Sequence, residues 1–174
     1  MKKFIIPILL LATMACSSIK IAYDYDKDVD FSKYKTYNLE EELIPQVGEL
    51  DRNRMIKALE SELVKNGLTK SDNPDIIVAL DVKTKLNQTA TANTTGGYGY
   101  GRYRYGGGFS TTQIDYDQYT EGTVIVSLVD NSTEHIVWQG TGTKTLSENA
   151  NADKKESNIN YAMEQIFKNY PPTK

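Results

Sequence analysis

Residues 96–108 read GGYGYGRYRYGGG, and the chain on either side of them is extended. That placement constrains the fold more than any other feature. A glycine-dense run resists packing and bends readily, so two strands that meet at one predict the tip of a long hairpin or a loop. Over residues 75–86, Ile76, Val78, Leu80, Val82 and Leu86 face one way and Asp81, Lys83 and Lys85 the other, while Ile77 and Ala79 are apolar as well. Burial on both faces that thins to one predicts a central strand running outward. Residues 113–129 repeat the pattern in reverse and end in Val124, Ile125, Val126, Leu128 and Val129.

The remaining elements follow from periodicity. Ile19, Ile21, Tyr23 and Tyr25 alternate with Lys20, Ala22 and Asp24, which predicts a half-buried strand over 19–25. Phe31 to Tyr34 reads as a turn packed on the body, and Lys35 to Leu39 as a second strand. Met55, Ile56, Leu59, Leu63 and Val64 recur at helical spacing between Asp51, a candidate N-cap, and Gly67, placed as a C-cap glycine. This predicts a helix over about 52–66. Asp130-Asn131-Ser132-Thr133 predicts a turn, and a last strand runs from His135 to about Leu146. Gly140 and Gly142 within it point to bulges or close backbone approach. Ile159, Ala162, Met163, Ile166, Phe167 and Tyr170 mark a closing amphipathic helix, stopped by Pro171-Pro172. The expected fold is α+β, in the order β-β-α-β-β-β-α: a mostly antiparallel sheet of about five strands with two helices packed on one face.

The first residues form a separate unit. Lys2 and Lys3 precede an apolar stretch from Phe4 to Leu11, and Ala15 precedes Cys16, the one cysteine of the chain. A charged start, a short apolar run and a small residue before a cut form a secretory signal. The run is shorter than the roughly 20 residues that span a bilayer. Ala15-Cys16-Ser17-Ser18 resembles the bacterial lipobox, although Thr13 stands where an aliphatic residue is usual. The resemblance implies cleavage after Ala15, a diacylglyceryl group on the Cys16 sulfur and an acylated amino terminus. The expected organisation is a signal peptide over 1–15, a lipidated tether over 16–18 and one α+β domain over 19–174. Stable anchoring takes two acyl chains, so membrane lipid, reached through acylated Cys16, is the first expected partner. Ser17 is not the aspartate that signals inner-membrane retention in some Gram-negative bacteria. The expected address is therefore the cell envelope, at the outer membrane facing the periplasm.

Removing the first 15 of 174 residues leaves about 159, enough for one domain with a real core. It also removes Lys2 and Lys3, taking the formal charge from −3 to about −5. An acidic domain is a poor nucleic-acid binder, and no such partner is expected. With Cys16 lipidated, no disulfide is available, and packing alone must hold the fold.

Few groups stand out as functional sites. Tyr98, Tyr100, Tyr103 and Tyr105 offer flat faces, and Arg102 and Arg104 offer forked donors. The plain reading of these six residues is a solvated loop; the sharper one is a partner-binding surface for an envelope protein or a glycan. Asp24, Asp26, Asp28 and Asp30 alternate like the opening of a calcium loop. However, Val29 and Lys35 stand where that loop needs glycine and glutamate, so they read as the solvent side and exit of a strand. His135, the single histidine, sits beside Glu134 without a nucleophile elbow, phosphate loop or zinc motif in the chain. Trp138 reads as a core anchor. No catalytic residue, metal or cofactor is expected.

Several runs together resemble one family: VDFSKYKTYNL at 29–39, NPDIIV at 73–78, GTVIVSLVDNSTEHIVWQGTGT at 122–143 and IFKNYPP at 166–172. They are similar to the bacterial envelope lipoproteins grouped as domain of unknown function 4136. The most specific pieces are Asp-Phe-Ser-x-Tyr-x-Thr-Tyr and Val-Asp-x-x-Thr…Val-Trp-x-Gly. The resemblance implies a lipoprotein with an α+β domain and assigns no activity. The leading expectation is a non-enzymatic binding or scaffolding domain. The alternatives are a periplasmic hydrolase acting on envelope polymers through Asp/Glu chemistry, or an auxiliary subunit of an envelope transport assembly.

Overall fold

The computed structural model describes residues 19–41, 43–97, 109–147 and 149–172, with backbone alone at 96, 97 and 109. The chain is α+β. Its strands are β1 (Lys20–Tyr25), β2 (Thr36–Leu39), β3 (Thr69–Lys70), β4 (Ile76–Gly97), β5 (Phe109–Asp130) and β6 (Ile136–Thr145), with helices α1 (Glu49–Lys65) and α2 (Ala152–Phe167). A 3-10 turn, Phe31–Lys33, separates β1 from β2. The six strands form one sheet in the order β1-β6-β5-β4-β2-β3.

The sheet is mixed: three of its five strand pairs are antiparallel and two parallel, so the expected α+β fold is met, with one strand more than about five and a parallel edge that the pattern did not indicate. β2 runs parallel to β4 and to the short β3, which the sequence pattern did not single out. The cause is the connection: α1 lies between β2 and β4, and a helical crossover returns the chain in the same direction. Where the links are short, at β4–β5 and β5–β6, the pairs are antiparallel.

One face of the sheet carries the core. Ile76, Val78 and Leu80 of β4 and Val126 and Leu128 of β5 are buried, whereas Ile77, Ala79, Ser127 and Val129 between them are only half-buried. Leu59 and Leu63 of α1 and Met163, Ile166 and Phe167 of α2 join the same buried cluster. In β6 the alternation breaks, because Val137 and Trp138 are both buried. The register explains this: Leu128 pairs with Trp138 and Val129 with Ile136, so Val137 is the extra residue of a β-bulge. The two glycines of β6 stay in register and serve close approach instead. A Cβ on Gly140 would collide with the Trp138 ring and lie 2.6 Å from Ile166 Cγ2.

The helix ends differ in how closely they match expectation. Gly67 has φ +83°; its N–H donates to Val64 O, and Leu68 N–H to Leu63 O, closing α1 with a Schellman motif. At the other end Gly48, not Asp51, is the N-cap. Asp51 lies in the first turn and pairs with Arg54 and Lys155, linking α1 to α2. Val64 is exposed rather than part of the buried stripe. α2 begins earlier than its apolar residues indicate, because the Asn151 side chain accepts from Lys154 N at 2.9 Å and caps it there.

β4 and β5 pair residue for residue from Ile76↔Asp130 to Gly97↔Phe109. Each is 22 residues long, against about 5–6 for an ordinary strand. β6 leaves β5 at Glu121. From Asn87 to Gly97 and from Phe109 to Tyr119, the strands pair only with each other. This two-stranded ribbon extends about 35 Å beyond the six-stranded sheet. The sequence pattern ended the strand near Leu86, which here is exposed on the ribbon.

Candidate functional site

The two most distinctive sequence runs meet at one end of the fold. Asp130, at the end of β5, is buried, and both its oxygens are engaged. Oδ2 accepts from Tyr34 Oη at 2.7 Å and from Lys33 Nζ at 2.9 Å. Oδ1 accepts from Ser132 Oγ at 2.6 Å, from Ser132 N at 2.9 Å and from Thr133 N at 3.3 Å. The Ser132 hydroxyl, then Lys33 and Tyr34, hold the Asp130 carboxyl far below the usual carboxylate range. Burial, and then the nearby Asp130, push the Tyr34 phenol up. Asp75 plays a parallel role one turn away: it accepts from Lys35 N and Thr36 N, which lowers its pKa.

Beside this network lies a pocket of about 380 Å³. Tyr25, Phe31 and Tyr34 form one wall, Asn66 and Gly67 at the end of α1 another, and Tyr170 with Pro171 and Pro172 the third. Phe31 meets Tyr34 and Tyr170 edge to face at 6.1 and 6.0 Å. Tyr170 rests on Trp138 at 5.3 Å, and Trp138 on Phe167 at 5.4 Å. Burial pushes the Tyr170 phenol up to about 12, so it stays protonated across the physiological range. Such a pocket offers aromatic faces to an apolar or planar group. Of its polar groups, Tyr34 Oη donates to Asp130 and Asn66 Nδ2 to Glu62 O. Trp138 is the core anchor the sequence indicates, fully buried behind this wall.

Other expected sites resolve as local structure. Asp24 accepts from Tyr25 N, Asp26 from Asp28 N and Asp30 from Ser32 N, so three of the four alternating aspartates bind neighbouring backbone. No group of three or more potential metal ligands occurs among the described residues. His135 is exposed at the start of β6. Cys16 and the tyrosine–arginine set Tyr98, Tyr100, Arg102, Tyr103, Arg104 and Tyr105 lie outside the described residues. The backbone that carries the latter set is described on both sides, at Gly97 and Phe109, the last pair of the ribbon.

The ribbon is the second candidate site. On the side that faces the helices farther down, it presents Leu86, Gln88, Ala90, Ala92 and Thr94 of β4 opposite Thr120, Gln118, Tyr116, Ile114 and Thr112 of β5. Leu86, Ile114 and Tyr116 are all more than half exposed. The opposite side carries Asn87, Thr89, Thr91 and Asn93 against Tyr119, Asp117, Asp115 and Gln113. It is a two-sided ribbon whose more apolar side has no helix over it among the described residues.

The model of one family, described as Domain of unknown function (DUF4136), matches residues 21–172. The chain belongs to this family. The match takes in both runs that meet at Asp130 and the aromatic wall, so the DUF4136 domain covers every element of the fold except the first residue of β1. No curated protein matches the chain. Among solved structures, a PDZ domain protein from Parabacteroides distasonis is 16% identical with a TM-score of 0.57. The likeness covers 88% of this chain and 36% of that one, so the DUF4136 chain spans about a third of that protein's length. It shows a shared fold. PelC from Paraburkholderia phytofirmans, solved as a dodecamer, is 13% identical over 86% of this chain and 95% of that one, with a TM-score of 0.45. No helix among the described residues is long and apolar enough to cross a membrane.

Proposed function

We propose that this DUF4136 protein is a lipid-anchored envelope protein whose domain binds or scaffolds a partner and catalyses no reaction. Cys16 supplies the anchor, by its place after the signal-like stretch and before Ser17-Ser18. The observation that carries the binding function is the ribbon formed by Asn87–Gly97 and Phe109–Tyr119. A two-stranded hairpin is marginal by itself in water, and this one also exposes Leu86, Ile114 and Tyr116. A partner on that surface removes apolar side chains from water. The ribbon ends at Gly97 and Phe109, on either side of the 98–108 tyrosine–arginine segment, whose rings and guanidinium groups suit a protein or glycan.

The test is in two parts. Wild-type chain takes up radioactive palmitate in bacterial cells and Cys16→Ala does not; persistent labelling of the variant sinks the anchor. In-cell crosslinking of wild type yields a partner that is lost when the ribbon is cut back to Leu86 and Thr120. Identical crosslinks from the shortened chain sink the ribbon as the contact element.

A further inference from the structure

The ribbon has two free edges as well as an exposed face. Val78 O accepts from Glu40 N on the β2 side, and Val82 O accepts from Gln46 Nε2 on that same side. Even-numbered residues of β4 therefore direct their backbone N–H and C=O away from β5. On the far side Thr120 O accepts from Leu146 N, so even-numbered residues of β5 direct theirs away from β4. Beyond those points, residues 84–96 of β4 and 110–118 of β5 carry outward backbone groups that meet no hydrogen-bond partner among the described residues.

Edges of this length are ordinarily blunted by proline, by a bulge or by brevity. Here the five prolines lie elsewhere, at 7, 45, 74, 171 and 172. The 22 β4–β5 pairs run without a register shift. Such edges are templates for another strand.

Charge identifies the strand. On the polar side β4 carries Lys83 and Lys85 at the foot of the ribbon, opposite Thr123 and Glu121, while β5 carries Asp115 and Asp117 within it. Lys85 and Asp117 have no ion-pair partner among the described residues. A β4 edge laid antiparallel on another β4 edge about Thr84 brings lysine to lysine, and β5 on β5 about Tyr116 brings aspartate to aspartate. β4 of one copy against β5 of the next, staggered so that Lys85 stands opposite Asp117, brings lysine to aspartate. It also keeps every hairpin pointing the same way and continues the antiparallel ladder.

We infer that the β4 edge (Thr84–Ala92) of one copy pairs with the β5 edge (Ser110–Gln118) of a second copy of this chain, head to tail. The inference rests on the reading of the ribbon as the contact element. A head-to-tail contact leaves one free edge at each end, so it repeats until it closes into a ring. Closure turns the ribbons into one continuous sheet, with the apolar row Leu86, Ala90, Tyr116 and Ile114 packed along the joined strands.

Sedimentation of the full-length chain in mild detergent tests this, with edge prolines as the probe. Gln88→Pro removes an outward N–H of β4 and Gln118→Pro one of β5, and neither touches a β4–β5 ladder bond. Wild type sediments as more than two copies. Each proline variant sediments as one copy with an unchanged melting midpoint, and the two mixed form a two-copy species, because each supplies the edge the other lacks. A one-copy wild type overturns the inference; if that chain carries a different protein on the ribbon, the scaffolding function stands and the second copy does not. Folded proline variants that keep the wild-type size overturn it too, as does a mixture that stays at one copy. Should a proline variant fail to fold, charge reversal decides: Lys83→Glu with Lys85→Glu, and Asp115→Lys with Asp117→Lys, each lose association alone and regain it when mixed. Association of either charge variant alone at wild-type strength overturns the head-to-tail pairing.

Discussion

Tyr34 and Asp130 lie 96 positions apart in sequence and are joined by a 2.7 Å hydrogen bond from phenol to carboxylate. The bond ties the segment after β1 to the end of β5, so the β1 side of the sheet and its centre share one buried polar node. Asp130→Asn keeps the shape but removes the charge that Lys33, Tyr34 and Ser132 all address. At neutral pH it destabilises the domain by about 2–3 kcal/mol, the scale of hydrogen bonds to a charged group. Because Asp130 titrates lower folded than unfolded, its contribution is full above the unfolded carboxylate pKa of about 3.9. It is lost as pH falls from there towards the folded value. Urea melts of both proteins at pH 7 and pH 3 check this: the gap between them narrows at pH 3.

Gly140→Ala places a methyl group where the Trp138 ring and Ile166 already sit, the latter 2.6 Å away. α2 must lift from β6 or Trp138 must leave its rotamer. Overpacking of this kind costs about 1–3 kcal/mol. Gly48→Ala is the control, since nothing lies within 4 Å of its Cβ position. Thermal melts of the two variants are expected to separate by several degrees, with Gly140→Ala the lower.

Trp138 is fully buried, and its indole N–H finds no acceptor among the described residues. Its worth is therefore apolar: the ring packs at a tilt against Phe167, meets Tyr170 edge to face and lies over Gly140. Trp138→Ala opens a large cavity and costs about 3–5 kcal/mol. Trp138→Phe keeps an aromatic ring and gives up no hydrogen bond, so it costs about half as much or less. Equal losses from the two substitutions, measured by denaturant unfolding, would show that the indole N–H matters after all.

These positions also show what a sequence discloses. Leu59, Leu63, Ile166 and Gly67 were legible because a helix repeats its buried face every three to four residues and ends in a glycine. The β2–β4 pairing was not, because strand direction depends on what connects two strands and their own alternation is silent about it. Leu86 misled for a related reason. Alternation identifies a face, but nothing in Leu86 itself says that the helices stop short of it. The pocket was harder still. Phe31 and Tyr170 stood in two separate runs, and only folding brings their rings within 6.0 Å.

Residues 98–108 can be replaced to ask what the core requires. The core ends on β4 near Val82, which is partly buried, and beyond it Lys83, Thr84, Lys85 and Leu86 are exposed. Replacing residues 98–108 with Asn-Gly joins Gly97 to Phe109 through a two-residue turn that suits a hairpin. Every strand pair in the sheet is retained. The expected melting midpoint is within about 2 °C of wild type, since a change of 1 kcal/mol moves the midpoint of a domain this size by roughly 2–4 °C. A larger fall would mean that the replaced segment packs on the body of the domain, and the tyrosine–arginine set would then belong to the core instead of to a contact surface.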